Sequence, residues 1–397
     1  MIINTLLIFL YTYFIIVCLY LMLLTVSAYN FKKRINQSAA PLRLAIVIPA
    51  YNEEFQIEST INAIRKSSYP KNLYSIFVIA DNCTDQTSVL SKLAGAQVFE
   101  HSNPFNRGKG QALDWFFKNH KDAYANFEGV VIIDADTVLD NNFLKEISSS
   151  LSHPDVKVVQ GFNGVFNMEN NWRTALLSAA FNVFNHLLPA GHNRIGGTAG
   201  LRGNGMAFRV EILKKYGWPS YSAVEDAEFS LNLLLDKVLV HYNPDAIVRS
   251  EMPVTGKQAE TQRMRWEADK YKISKKYFPL MVRALSTTHR ICYFDAIMSL
   301  ITPPLALLII GLVFLSMVTL FINSKILPLT GFCFILITIY VFSGQIMKKA
   351  SFKVWCSLLT APLYILWKIP VYIKLIKNRS DKKWIRTQRI SEMKKKF

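Results

Sequence analysis

Val130-Val131-Ile132-Ile133-Asp134-Ala135-Asp136 is the stretch from which the fold can be read. Four apolar, mostly β-branched residues make a strand buried on both faces. The strand runs into two carboxylates one residue apart, and carboxylates are costly to bury without a positive partner. A hard divalent cation, Mg2+ or Mn2+, meets that need, held partly by these side chains and partly by substrate phosphates. About one Asp-x-Asp arises by chance in a chain of this length. What gives this one weight is its place at the carboxyl end of a buried strand, where open α/β sheets bind their ligands.

Outward from that strand, strands and helices alternate. Residues 44–48 read as a strand ended by Pro49, with Asn52 as the cap of a helix over 53–67. A second strand over 75–80 ends at Asp81, and a third over 96–100 precedes an amphipathic helix over 110–118. Residues 157–161 and 238–242 read as later strands. The fold class is α/β, with a mostly parallel, doubly wound sheet.

The two ends of the chain are different in kind. No charged residue occurs from Met1 to Phe31, and 6–26 is apolar enough to span a bilayer. A cleaved signal peptide would carry a basic residue before a shorter core. Lys32-Lys33-Arg34 follow, so an uncleaved anchor with its amino terminus outside and the following domain in the cytoplasm is expected. Residues 296–322 form a second span despite Pro303-Pro304, and 327–346 a third that returns to the cytoplasm. The segment 352–376 is interrupted by Pro362, Lys368 and Pro370, and its apolar run over 354–367 is too short to cross. A basic tail follows it, so it reads as an interfacial or re-entrant helix with a cytoplasmic tail. The expected divisions are an anchor over 1–30, the α/β domain over 31–250 and a connecting segment over 251–295. A helical hairpin over 296–349, the interfacial helix over 350–376 and the tail over 377–397 complete the chain.

The net charge of +18 and the 51% hydrophobic content fit this division. Many of the basic residues flank the apolar segments, where anionic lipid, rather than nucleic acid, is their counterpart. The five cysteines make no CxxC pair and the seven histidines no HExxH, which points to reduced thiols and away from zinc.

Polar clusters sit at the strand ends. Pro49-Ala50-Tyr51-Asn52-Glu53-Glu54 and Asp81-Asn82-Cys83-Thr84-Asp85 suit a base and ribose, although helix capping explains such residues about equally well. Asn106-Arg107-Gly108-Lys109-Gly110 is a basic loop suited to an anionic substrate, without the GxxxxGK[ST] pattern. Glu225-Asp226 opens a helix over 227–235, where Asp226 either works as a base or complements the helix dipole. Upstream, Gly203-Asn204-Gly205 lets backbone approach a ligand. Gln262-Arg263-Met264-Arg265-Trp266 joins a forked cation suited to diphosphate with a ring suited to a sugar face, and an amphipathic interfacial helix is the plainer reading.

Taken in order, Ile46 to Glu54, Ala80 to Asp85, Asp134-Ala135-Asp136, Glu225-Asp226 and Gln262 to Trp266 resemble the motifs of the membrane-bound family 2 glycosyltransferases. That group includes the cellulose, chitin, hyaluronan and poly-N-acetylglucosamine synthases. The resemblance covers about residues 44–266 and implies a GT-A fold, a nucleotide-sugar donor, usually a UDP-sugar, and inversion at the anomeric carbon. It implies that Tyr51, Glu53, Asp81, Lys109 and Asp134 line the nucleotide site and that Asp136 holds Mg2+ or Mn2+. It implies further that Asp226, beside Glu225, is the catalytic base, and that Gln262, Arg265 and Trp266 flank the diphosphate and acceptor. Gly203 and Asn204 are expected on the acceptor side.

Two features depart from that pattern. Val224 replaces the usual Thr, and three spans are fewer than polymer-extruding synthases carry. The expected protein is an integral enzyme of a bacterial inner (plasma) membrane, making a cell-surface or secreted polysaccharide. Its expected partners are the donor, a saccharide or lipid-linked acceptor, the bilayer and subunits for export. Addition of one sugar to a lipid-linked acceptor is the alternative. A non-catalytic scaffold would be expected to have lost one of Asp134, Asp136, Asp226 or Arg265. A transporter would carry charged residues within its spans.

Overall fold

A computed structural model describes residues 2–377, apart from Asn106 and Ala223. The tail over 378–397, expected to be cytoplasmic, lies outside the described residues, as does Asn106 of the basic loop. The chain divides into two compact units. One holds Lys32–Thr174 and Thr198–Ile273; the other gathers Met1–Phe31, Ala175–Gly197 and the described chain over 274–377.

The first unit is built on an eight-stranded sheet: β1 (Leu44–Ala50), β2 (Tyr74–Asp81), β3 (Gln97–His101), β4 (Gly129–Ile132), β5 (Thr137–Leu139), β6 (Val158–Val165), β7 (Met206–Arg209) and β8 (Val240–Ser250), in the order β3-β2-β1-β4-β7-β6-β8-β5. The half around β1 is parallel, as the unbroken apolar runs require. β7 runs antiparallel to both β4 and β6, so the whole sheet is mixed. Ile46, Ile48, Val131 and Ile133 pack into one core with Ile57, Ile61 and Ile64 of the helix Ile57–Arg65 and Phe143, Leu144 and Ile147 of Phe143–Leu151.

Asn52 does not cap a helix. The helix begins at Ile57, and Asn52 adopts a left-handed backbone with φ of 54°. Its amide oxygen accepts from the Thr84 N–H at 2.8 Å and its amide nitrogen donates to Thr84 Oγ1 at 3.2 Å. The Glu54 N–H donates to Asp85 Oδ2 at 3.1 Å. The loops after β1 and β2 are thereby tied together. Because Ala50 is level with Ala80, and Val47 with Ile132, the parallel register brings residues 51–54, 81–85 and 134–136 to the same edge of the sheet.

The second unit is helical. Among the described residues, four helical stretches are long and apolar enough to cross a membrane: Asn4–Tyr29, Leu305–Ile322, Ser324–Met347 and Phe352–Lys374. The second begins at Leu305 because the chain breaks at Pro303-Pro304, leaving Ile291–Ile301 as a separate short helix. The fourth runs through Pro370, so length and composition admit a crossing where the sequence pointed to the interface. Ala175–Gly197 falls inside the expected α/β domain yet groups with these apolar helices. Polar side chains join them, as is usual where helices pack in an apolar medium. Tyr11 Oη lies 3.0 Å from Thr319 Oγ1 and 2.7 Å from Thr330 Oγ1. Asn182 donates to Gln345 Oε1 at 2.9 Å, and Gln345 donates to the Ala179 carbonyl at 3.0 Å. Asp295, 1% exposed, accepts from the Tyr20 hydroxyl at 2.8 Å and lies 2.8 Å from His192 Nδ1.

Candidate active site

Lys109 sits at the centre of the site. It opens the helix Lys109–Asn119, and its ammonium donates to Asp134 Oδ1 at 2.5 Å and to the Gly203 carbonyl. Three distant stretches of chain are thus drawn to one point. Gly203 has φ of +79°, and a Cβ on it would stand 3.4 Å from Asp226 Oδ2, which places the Asp226 carboxylate beside that backbone turn. The tight turn needs glycine for its dihedral. Gly110 is needed for space, since a Cβ there would run into the Ser220 carbonyl and approach the Glu225 side chain.

The electrostatics follow from this crowding. Burial works against the charged form of Lys109, but Asp134, Glu225 and Asp226 overcome it and raise its pKa. Burial, with Asp226 alongside, pushes the Glu225 carboxyl up to about 7. Burial also raises Asp226, against the pull of the Ala227 N–H, Lys109 and Arg202. Glu225 is buried whereas Asp226 is half-buried, so of the two it is Asp226 that reaches solvent.

Asn204 occupies a different place from the one expected. It is 1% exposed. Its amide oxygen accepts from the Asp134 N–H at 3.1 Å, and its amide nitrogen donates to Thr137 Oγ1 at 2.9 Å and Ser250 Oγ at 2.8 Å. Gln160 Nε2 donates to its carbonyl at 2.8 Å. Its side chain thus braces the Asp134–Thr137 turn, with both ends of the amide engaged there.

Asp81, at the end of β2, is 4% exposed. Its Oδ1 lies 2.8 Å from His101 Nδ1 and accepts from Asn82 Nδ2 at 2.8 Å. Burial raises its pKa, and His101 together with the Gly108 N–H opposes the rise. His101 stacks on Trp115 with ring centres 4.5 Å apart and planes at 26°. Neither His101 nor Trp115 stands out in the sequence. Ending the third strand at 100 left His101 outside it, whereas one more residue puts His101 level with Asp81.

Tyr51 and Glu53 lie in the loop after β1, half-buried, with the Glu53 N–H donating to Thr87 Oγ1 at 2.8 Å. Asp136 lies between β4 and β5, also half-buried. Gln262, Arg265 and Trp266 fall in the helix Gly256–Thr288, and their side chains lie outside the described residues. Among the described residues no three His, Cys, Asp or Glu side chains could hold a metal ion by themselves. The donor set fits an ion shared with substrate oxygens. Asp134 and Asp136, one residue apart at the end of the buried strand, are oxygen donors of the kind that Mg2+ or Mn2+ take, commonly one or two carboxylates plus phosphates.

Residues 41–268 match the model of the family described as "Glycosyltransferase like family 2". A probable glycosyltransferase, YdaM, of Bacillus subtilis is 24% identical, over 91% of this chain and 90% of its own length. A beta-monoglucosyldiacylglycerol synthase of Nostoc is 25% identical over 69% of this chain and 58% of its own. A poly-beta-1,6-N-acetyl-D-glucosamine synthase of Staphylococcus epidermidis is 23% identical over 65% of this chain and 61% of its own. This chain therefore spans about three fifths of the length of the latter two relatives. Among solved structures, a mannosyltransferase of Pyrobaculum calidifontis in complex with GDP-Man and Mn2+ shares the fold, with a TM-score of 0.56 at 16% identity, covering 94% of this chain and 98% of that one.

Proposed function

This chain belongs to the glycosyltransferase like family 2, and from that premise we propose that it is a membrane-anchored, inverting enzyme that moves a sugar from a UDP-sugar to a saccharide acceptor in making a cell-surface polysaccharide. One observation carries the donor site: Lys109 gathers Asp134 and the Gly203 turn where Asp226 also stands. In this reading Tyr51, Glu53 and Asp81 take the nucleoside, and Lys109 and Asp134 fix the floor beneath the diphosphate. Asp136 would hold Mg2+ or Mn2+, which when bound would supply positive charge beside the diphosphate. Gln262, Arg265 and Trp266 are the residues that the family motif assigns to the diphosphate and acceptor, and the Gly203 backbone is assigned to the acceptor. Asn204 shapes the Asp134–Thr137 turn from behind.

Half-buried at a helix start, Asp226 takes the proton of the acceptor hydroxyl. The hydroxyl oxygen bonds to the anomeric carbon, the bond from that carbon to the diphosphate breaks, and UDP leaves. The raised pKa of Asp226 makes it a stronger base than an exposed carboxylate. The four apolar helices anchor the protein in a bacterial inner membrane with the sheet unit in the cytoplasm, and subunits for export would act on the product.

Transfer of one sugar to a lipid-linked acceptor is a second reading, favoured by the likeness to the glucosyldiacylglycerol synthase. The test is UDP release by the purified protein in nanodiscs with a panel of UDP-sugars, Mn2+ and lipid or oligosaccharide acceptors, followed by product sizing. A ladder supports the polysaccharide reading, a single addition to lipid supports the second, and release from no donor contradicts both.

A further inference from the structure

The donor reading leaves unexplained why Asp81 is gripped so closely. A carboxylate only accepts hydrogen bonds. The N3–H of uracil donates to it, whereas cytosine presents a lone pair at N3 and an amino group one ring position away. An Asp side chain free to turn could follow that amino group and bind either base. Asp81 is not free to turn. His101 Nδ1 and Asn82 Nδ2 each lie 2.8 Å from its Oδ1, and the Gly108 N–H engages the same carboxylate. His101 is held in turn: its ring lies on Trp115, which meets His120 edge-on at 4.6 Å. The backbone reinforces the pairing, because β3 is in register with β2 at Asp81 and His101 and the Asn82 N–H donates to the His101 carbonyl at 2.7 Å.

We propose that His101, braced by Trp115, is a positioning residue that locks the Asp81 carboxylate for a ring N–H, so that the site takes uracil and rejects cytosine. This rests on the UDP-sugar reading above and adds to it the residue that sets base choice. His101 itself touches no substrate. Its contribution is to hold the acceptor where only one of two isosteric bases has its donor.

The test is calorimetric binding of UDP and CDP to the full-length protein in nanodiscs with Mn2+, comparing wild type, His101→Ala and His101→Asn, with melting temperatures measured alongside. The expected result is a wild-type preference for UDP of roughly tenfold or more. In His101→Ala that ratio falls toward one, mainly through weaker UDP binding. His101→Asn, whose amide nitrogen can replace Nδ1 as donor to Asp81, recovers most of it. A His101→Ala protein that keeps the wild-type ratio overturns the proposal while the donor reading stands, and so does one that weakens both nucleotides equally with a lowered melting temperature. Wild type that binds UDP without discriminating against CDP overturns it too. Wild type that fails to bind UDP removes the donor reading and this proposal with it.

Discussion

Asp134, Glu225 and Asp226 crowd around one ammonium, that of Lys109, whereas Asp295 in the helical unit is met by Tyr20 and His192, with Ser299 against the Tyr20 hydroxyl. Both regions bury carboxylates, and they settle the cost in opposite ways. Around Asp295 nearly every polar atom has a neighbour: the Tyr20 hydroxyl donates to it and stands 3.1 Å from Ser299 Oγ, and both Asp295 oxygens lie within 3.0 Å of His192 Nδ1. Gly197 is bare because a Cβ would strike Asp295 Oδ2. A node so completely met holds helices together. Around Lys109 three carboxylates crowd one lysine; burial, with Asp226 alongside, raises the Glu225 carboxyl, and burial raises Asp226, so the site favours a ligand that brings positive charge or gives up a proton. What separates the two regions is that burial meets a crowd of carboxylates around Lys109 and a single hydrogen-bonded carboxylate at Asp295.

Substitutions can break this contrast. Asp226→Asn keeps the shape and removes the base, so kcat is expected to fall about a thousandfold with UDP affinity retained, as read by UDP release and calorimetry. Lys109→Met removes the charge that organises three stretches of chain, with an expected loss of about a hundredfold in kcat/KM. Asp295→Asn should act on the other side of the contrast. Thermal or denaturant unfolding is expected to show about 1–3 kcal/mol lost, with kcat of the folded fraction unchanged. A large fall in its kcat at unchanged stability would make the node part of the chemistry.

The smallest effect concerns pH. A Glu225 carboxyl raised to about 7 binds its proton more tightly folded than unfolded. Its contribution to stability is therefore full below the ordinary carboxylate range and declines as pH rises from about 4.5 to about 7. Activity runs the other way, because Asp226 must lose its proton to work. The acid limb of the pH–rate profile is expected above the ordinary Asp range, and a limb near pH 4 would contradict the effect of burial on Asp226.

The sequence displays one half of this contrast far better than the other. Parallel strands with unbroken apolar runs announce themselves, and the carboxylates at their ends follow from where such strands lead. Val130 to Asp136 and Asp81 were legible for that reason, and Glu225-Asp226 as the start of a helix. Asn204 was visible as part of a glycine-rich turn, but its burial depends on Thr137, Gln160 and Ser250, which approach from other strands. His101 was hidden by one residue of strand length. The His192–Asp295 pair joins residues 103 positions apart, with nothing local in either stretch to mark it. Asn52 looked like a helix cap because its type suits one, and the left-handed turn it adopts instead is held by Thr84 in the next loop.

The most direct test of the central claim is calorimetric titration of UDP into the purified protein with and without Mn2+, wild type beside Asp136→Ala. The account predicts that Mn2+ strengthens UDP binding to wild type by at least about tenfold and has little effect on Asp136→Ala. Equal UDP affinity with and without the ion in wild type, or an undiminished metal effect in Asp136→Ala, would contradict it.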